Sequence, residues 1–117
     1  MTQEEKQLLL KDLCARIPYV VKFQGEDSNV YTLDAANYFA LQVEDMVFKP
    51  YLRPMSSMTE VEEDEYMIAR QKDIAEAYIH ATPQNAIDWL NAHHFDYRGL
   101  IEKELALEAP EGMYKTE

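Results

Sequence analysis

The chain has 117 residues and a mass of 13.7 kDa, room for one domain and not two, and its 47% hydrophobic and 28% charged residues fit a globular chain rather than a disordered one. No apolar run approaches the ~20 residues a membrane-spanning helix needs, the opening MTQEEKQLLLKD carries acids where a secretory signal carries bases, and the lone Cys14 excludes an intrachain disulfide scaffold. The formal charge of −11, split as −2 over residues 1–58 and −9 over 59–117, predicts a soluble cytoplasmic domain with no basic surface for a phosphate backbone, hence no direct nucleic-acid binding and no membrane partner.

Residues 1–17 read as a helix. Thr2 and Glu5 have capping-box spacing, and Leu9, Leu10, Leu13, Cys14 and Ile17 recur on one apolar stripe until Pro18 ends it. On that stripe Cys14 is expected to be buried and to act as a small hydrophobe. Residues 18–58 read as a small antiparallel sheet followed by a crossing loop. Tyr19–Gln24 and Val30–Leu33 flank the turn cluster Gly25–Asn29 and predict a hairpin, with Val21 and Phe23 on one face. Asp34–Asn37 looks like a second turn, and the alternation of Phe39, Leu41 and Val43 predicts a third strand over Tyr38–Val43. Met46–Phe48 fits a short strand. Pro50 and Pro54 then make Lys49–Met58 an extended edge or a loop.

Residues 59–109 read as a helical half packed on that sheet. Thr59 and Glu62 repeat the capping-box spacing, acids crowd the first turns, and Met67, Ile68, Ile74, Ala75, Tyr78 and Ile79 form a stripe expected to be buried. Thr82-Pro83 starts a further helix that carries Ala86, Ile87, Trp89, Leu90 and His93/His94 towards a stop at Gly99. Leu100–Ala109 fits a short helix or a strand, and residues 110–117 are expected to fray.

Three segments, TQEEKQLLLKDLCA (2–15), KPYLRPMSSMT (49–59) and WLNAHHFDYRGLIEKELALEAPEGMY (89–114), resemble a family of short uncharacterised proteins of gut anaerobic bacteria and their prophages. The resemblance covers a little under half of the chain and is most distinctive in its last block. The family carries a glycine where this chain has Glu104, which implies that a tight turn is replaced by helix here. The resemblance implies a mobile-element setting and no chemistry.

Motif chemistry is sparse. With glycine only at positions 25, 99 and 112, the chain can build no P-loop, dinucleotide fingerprint or G-x-S-x-G elbow. Asp27-Ser28-Asn29 opens like a calcium loop, but Thr32 and Tyr38 stand where that loop needs glycine and glutamate. His93, His94 and Asp96, with His80 one helix earlier, make the best metal-ligand set. Adjacent histidines on a helix diverge by about 100°, however, and the structural alternative has one histidine packing near Trp89 while Asp96 and Arg98 fix a turn. Cys14 paired with a distant histidine as a thiolate nucleophile is the weaker catalytic reading. Paired acids over 60–65 lie around one solvated helix end. No cofactor is expected.

The aromatic content points elsewhere. Tyrosine, tryptophan, arginine and methionine are enriched at protein interfaces, and they gather here in two segments: Trp89, His93, His94, Phe95, Asp96, Tyr97 and Arg98, and Tyr51, Arg53 and Met55. The sequence therefore predicts one α+β domain acting as a non-enzymatic protein-interaction or regulatory module with a protein partner and an interaction patch on these residues. Homodimerisation through an unpaired sheet edge is a further expectation. The alternatives are an acidic mimic that blocks a nucleic-acid-binding protein, from the charge of the second half, and a small metal-dependent hydrolase using His93, His94 and Asp96.

Overall fold

The computed structural model describes residues 2–43, 48–77 and 83–114. Helix α1, Gln3–Arg16, starts at the expected capping box: the Glu5 N–H donates to Thr2 Oγ1 at 3.0 Å and the Thr2 N–H to Glu5 Oε1 at 2.8 Å. Its buried face is Leu9, Asp12, Leu13 and Arg16, an i, i+3, i+4, i+7 set in which two of four residues are charged. Cys14, expected on that face, is exposed; it lies about 100° round the helix from Leu13. A 3₁₀ turn, Ile17–Tyr19, follows with Pro18 near its start.

The hairpin is present as β1, Lys22–Gln24, and β2, Val30–Thr32, in the register Phe23 to Tyr31. Its turn closes through Gly25 N–H to the Asn29 carbonyl at 3.1 Å. A Cβ at Gly25 would come within 2.9 Å of the Tyr31 ring, so any larger residue there would displace that side chain.

The third strand expected over Tyr38–Val43 is instead a helix, α2, Ala35–Val43. Asp34 caps it, accepting from the Asn37 N–H at 2.7 Å through Oδ1 and from the Tyr38 N–H at 2.9 Å through its carbonyl. The supposed turn Asp34–Asn37 is thus a cap and a first helical turn, and the period-2 pattern after it was accidental: Phe39 is exposed. Met46 and Val47 lie outside the described residues. The second antiparallel neighbour of β1, beside β2, is β3, Lys49–Leu52, the stretch read as an extended edge or loop.

Helix α3, Glu60–Glu76, has its capping box, Thr59 N–H to Glu62 Oε1 at 3.0 Å and Glu62 N–H to Thr59 Oγ1 at 3.2 Å. Helix α4, Asn85–Ala92, begins two residues after Pro83; Thr82, the expected cap, lies outside the described residues. The capping carboxylate comes from α3: Asp73 accepts from the Asn85 N–H at 2.7 Å and the Ala86 N–H at 3.0 Å.

Helix α4 stops before Gly99 in a Schellman end. Phe95 N–H bonds to Leu90 O and His94 N–H to Asn91 O, with His94 in the left-handed position usually held by glycine, φ +64°. The same pattern recurs downstream, Leu105 N–H to Leu100 O and Glu104 N–H to Ile101 O, with Glu104 at φ +61°. A turn therefore stands at Glu104, not the helix implied above.

Leu107–Glu108 forms a short strand, β4, parallel to β3, so the sheet is mixed rather than antiparallel, in the order β2-β1-β3-β4. Residues expected to fray are anchored as far as Tyr114, whose hydroxyl donates to Tyr51 O at 2.7 Å and accepts from Lys22 N–H at 2.8 Å. The core joins Leu9 and Leu13 of α1 to Val21, Phe23, Leu33, Phe48 and Leu52 of the sheet region and to Leu100, Leu105 and Ala106. The C-terminal half reaches the sheet through the turns after α4, whereas α3 has no buried residue.

Candidate interaction site

The expected patch residues converge, but largely inward. Phe95 is fully buried, and His94 and Asp96 are buried. Trp89 is half-buried in a stack whose ring centroids lie 4.2 Å from His93, 5.6 Å from Phe95 and 5.6 Å from Tyr66 of α3, and its Nε1–H donates to Glu65 at 3.2 Å. Arg53 spans the junction. Its guanidinium lies 4.2 Å from the centre of the Phe95 ring, donates twice to Glu62 at 2.6 and 2.8 Å, and donates to Ser57 O at 3.1 Å. The backbones join as well, Arg53 N–H to His94 O and Asp96 N–H to Arg53 O, both at 2.8 Å. The Arg53 guanidinium holds the Glu62 carboxyl down at about 2. Beside this junction lies an open cleft of about 600 Å³ whose lining includes Arg53, Glu62, Glu108 and Tyr114.

Tyr97 and Arg98 belong to a second, deeper cluster. Asp12 accepts from Arg16 Nε at 2.7 Å and Arg98 Nε at 3.0 Å, while Arg16 donates to Phe95 O at 2.6 Å. Both guanidiniums stand over the Tyr97 ring, at 5.3 and 5.0 Å, and the Tyr97 hydroxyl donates to Asn91 at 3.0 Å. Tyr51 is half-buried in β3, and Met55 is exposed on a 3₁₀ turn, Met55–Ser57.

The histidine set does not converge. His94 stacks on Tyr114 at 3.8 Å, its buried Nδ1 has no hydrogen-bond partner among the described residues, and burial followed by the charge of Arg16 lowers its pKa to about 4. His93 turns to Glu62, Nδ1 to Oε2 at 3.8 Å. Both Asp96 oxygens are engaged by backbone N–H groups, of Leu100 at 2.8 Å and Ile101 at 2.9 Å. Among the described residues no three His, Cys, Asp or Glu side chains are grouped to hold a metal ion, and His80 lies outside them. No helix among the described residues is long and apolar enough to cross a membrane.

Comparison with protein-family models, curated proteins and solved structures gives no match. The local geometry therefore has to locate the functional surface.

The surface that stands out is one the sequence reading placed in the core. Helix α3 turns Glu62, Tyr66, Ala69, Asp73 and Glu76 inward and leaves its aliphatic residues outside: Val61 is 67% exposed, Met67 48%, Ile68 64% and Ile74 68%. Ala75 is exposed too, and Tyr78 and Ile79 lie outside the described residues. The stripe was legible in the sequence, but its direction was not. It is reversed because the contacts that dock α3 are polar or aromatic: Asp73 on the start of α4, Glu76 to Asn85 Nδ2 at 2.8 Å, Glu62 to Arg53, and Tyr66 against Trp89.

Proposed function

We propose that the chain is a non-enzymatic protein-interaction module whose docking surface is the outer face of α3. The observation that carries this reading is the exposure of Val61, Met67, Ile68 and Ile74 on one helix. A surface helix ordinarily turns its apolar stripe to its own core, and clustered exposed aliphatic groups mark a surface that another molecule covers. The Trp89–Arg53–Glu62 junction supports the reading in a different role: it fixes the base of α3, so the face is presented on a rigid mount. His93, His94 and Asp96, each engaged separately, contribute packing and turn formation rather than bond-making.

The test is site-specific photo-crosslinking in the source cell, with the reactive side chain at Ile68 and, as a control, at the exposed Glu102. Adducts are expected from position 68 only, and they disappear when Val61 and Ile74 are both changed to glutamine. Absence of adducts at position 68, or equal labelling at 102, overturns the reading.

A further inference from the structure

We infer that the outer face of α3 is covered by a second copy of this chain, the two helices packing antiparallel about a twofold axis that passes between Met67 and Ile68. The inference rests on the interaction reading above and goes further by naming the partner. The first support is register. At about 100° per residue, Val61, Ile68 and Ala75 form one row of α3 and Met67 and Ile74 a parallel row, with Asp64 and Gln71 between them. An antiparallel pairing centred between residues 67 and 68 sets Val61 beside the partner's Ile74, Ile68 beside the partner's Met67, and Asp64 beside the partner's Gln71. Val61, Met67, Ile68 and Ile74 then each meet an aliphatic side chain and Asp64 and Gln71 meet as acceptor and donor, while Glu60, which heads the Met67–Ile74 row, lies beside the partner's Ala75 at each end of the seam.

The second support is charge. The N-terminal half of α3 carries Glu60, Glu63 and Asp64 besides Glu62 and Glu65, which are engaged by Arg53 and Trp89, while its two cations, Arg70 and Lys72, lie in the C-terminal half. Neither cation makes an ion pair among the described residues; Arg70 only approaches the Tyr66 ring at 5.9 Å. In a twofold antiparallel pair the same flank of each helix meets its counterpart. Glu63 then faces the partner's Arg70 along one flank, whereas Glu65 on the other is held by the Trp89 Nε1–H. A parallel pair would stack acids on acids, so the sequence of α3 is self-complementary in one direction only. A helix of this length is about 25 Å long, and one such helix pair buries less than the roughly 1,600 Å² of a standard-size interface, so the dimer is a reversible one.

Sedimentation equilibrium of the full chain over a wide range of concentration tests this. The weight-average mass is expected to rise from 13.7 kDa towards twice that value. Ile68→Glu, which brings two carboxylates together at the axis from an exposed position, holds it at 13.7 kDa with an unchanged circular-dichroism spectrum. Glu63→Lys alone and Arg70→Glu alone each weaken association by about tenfold, and the two together on one chain restore it. A monomer at all concentrations, a dimer indifferent to Ile68→Glu, or a double variant that fails to recover overturns the inference. If the purified chain is monomeric while position 68 still yields adducts to other proteins in the cell, this inference fails and the interaction reading stands.

Discussion

Asp12, Arg16 and Arg98 are the residues on which α1 and the turns after α4 meet, and two of the three have no access to water. A buried carboxylate between two guanidiniums is stable only while all are present, because removing one leaves charge uncompensated in a medium that solvates it poorly. Asp12→Ala is therefore expected to cost about 3–5 kcal/mol of unfolding free energy, measured by urea denaturation. The Asp12→Leu, Arg16→Met pair is expected to cost less than Asp12→Leu alone.

His94 makes stability depend on pH with a definite sign. Its folded pKa, about 4, lies below the ordinary 6.5, so the unfolded chain binds a proton at higher pH than the folded one. Stability is complete above pH 6.5 and falls as the pH drops towards 4. Glu62 acts lower, losing its contribution only as the pH falls from 4.5 towards 2. Urea midpoints measured between pH 7 and 4.5 should decline for the native chain and stay nearly flat for His94→Asn, in which asparagine accepts the left-handed backbone.

Glu104 sits in that left-handed region too, with its side chain exposed. Glu104→Gly is expected to stabilise by about 0.5–1 kcal/mol, seen as a raised melting temperature. Val20, at φ +58° and exposed, carries the same strain more severely because it is β-branched.

At the scale of elements, capping boxes were readable because Thr-x-x-Glu meets its own backbone within one turn, and both appear where the spacing put them. The start of α4 was not readable. Its capping carboxylate, Asp73, lies twelve residues upstream of Asn85 on another helix, and no local signal announces it. Asp73→Ala is expected to lose about 1–2 kcal/mol and to loosen α3 from α4, with faster amide exchange at Asn85 and Ala86. Strand and helix were confused at α2 because Tyr38–Val43 alternates by chance, while the Asp34 cap that decides the matter also fits a turn. The clustering of residues around Trp89 and Arg53 was legible but their burial was not, since Phe95 lies under the Arg53 guanidinium and His94 against the Tyr114 ring, both partners distant in sequence.

Across the whole molecule, α3 is the outlier. The radius of gyration, 15.0 Å, exceeds the ~13.4 Å expected of a compact chain this long, as befits a helix mounted on the body rather than sunk into it. The segment that leads to Tyr114 is bound to the sheet. Tyr114, its pKa pushed up to about 12 chiefly by burial, links β1 to β3 through Lys22 N–H and Tyr51 O. Tyr114→Phe leaves both backbone groups without that partner and is expected to cost about 1–3 kcal/mol, measured by thermal denaturation.

The sequence by itself determined the α+β class, the first hairpin, both capping boxes and the existence of an aliphatic stripe on α3, since each depends on residues within a few positions of one another. Only the tertiary structure decided that Asp12 and Arg16 are buried, that β3 pairs with β1 and β4, and that the α3 stripe faces out. Those outcomes depend on which distant groups satisfy one another. Asp73, Glu76 and Glu62 find their partners on α4 and on Arg53, and by facing inward to reach them they turn the aliphatic side of their helix to the solvent.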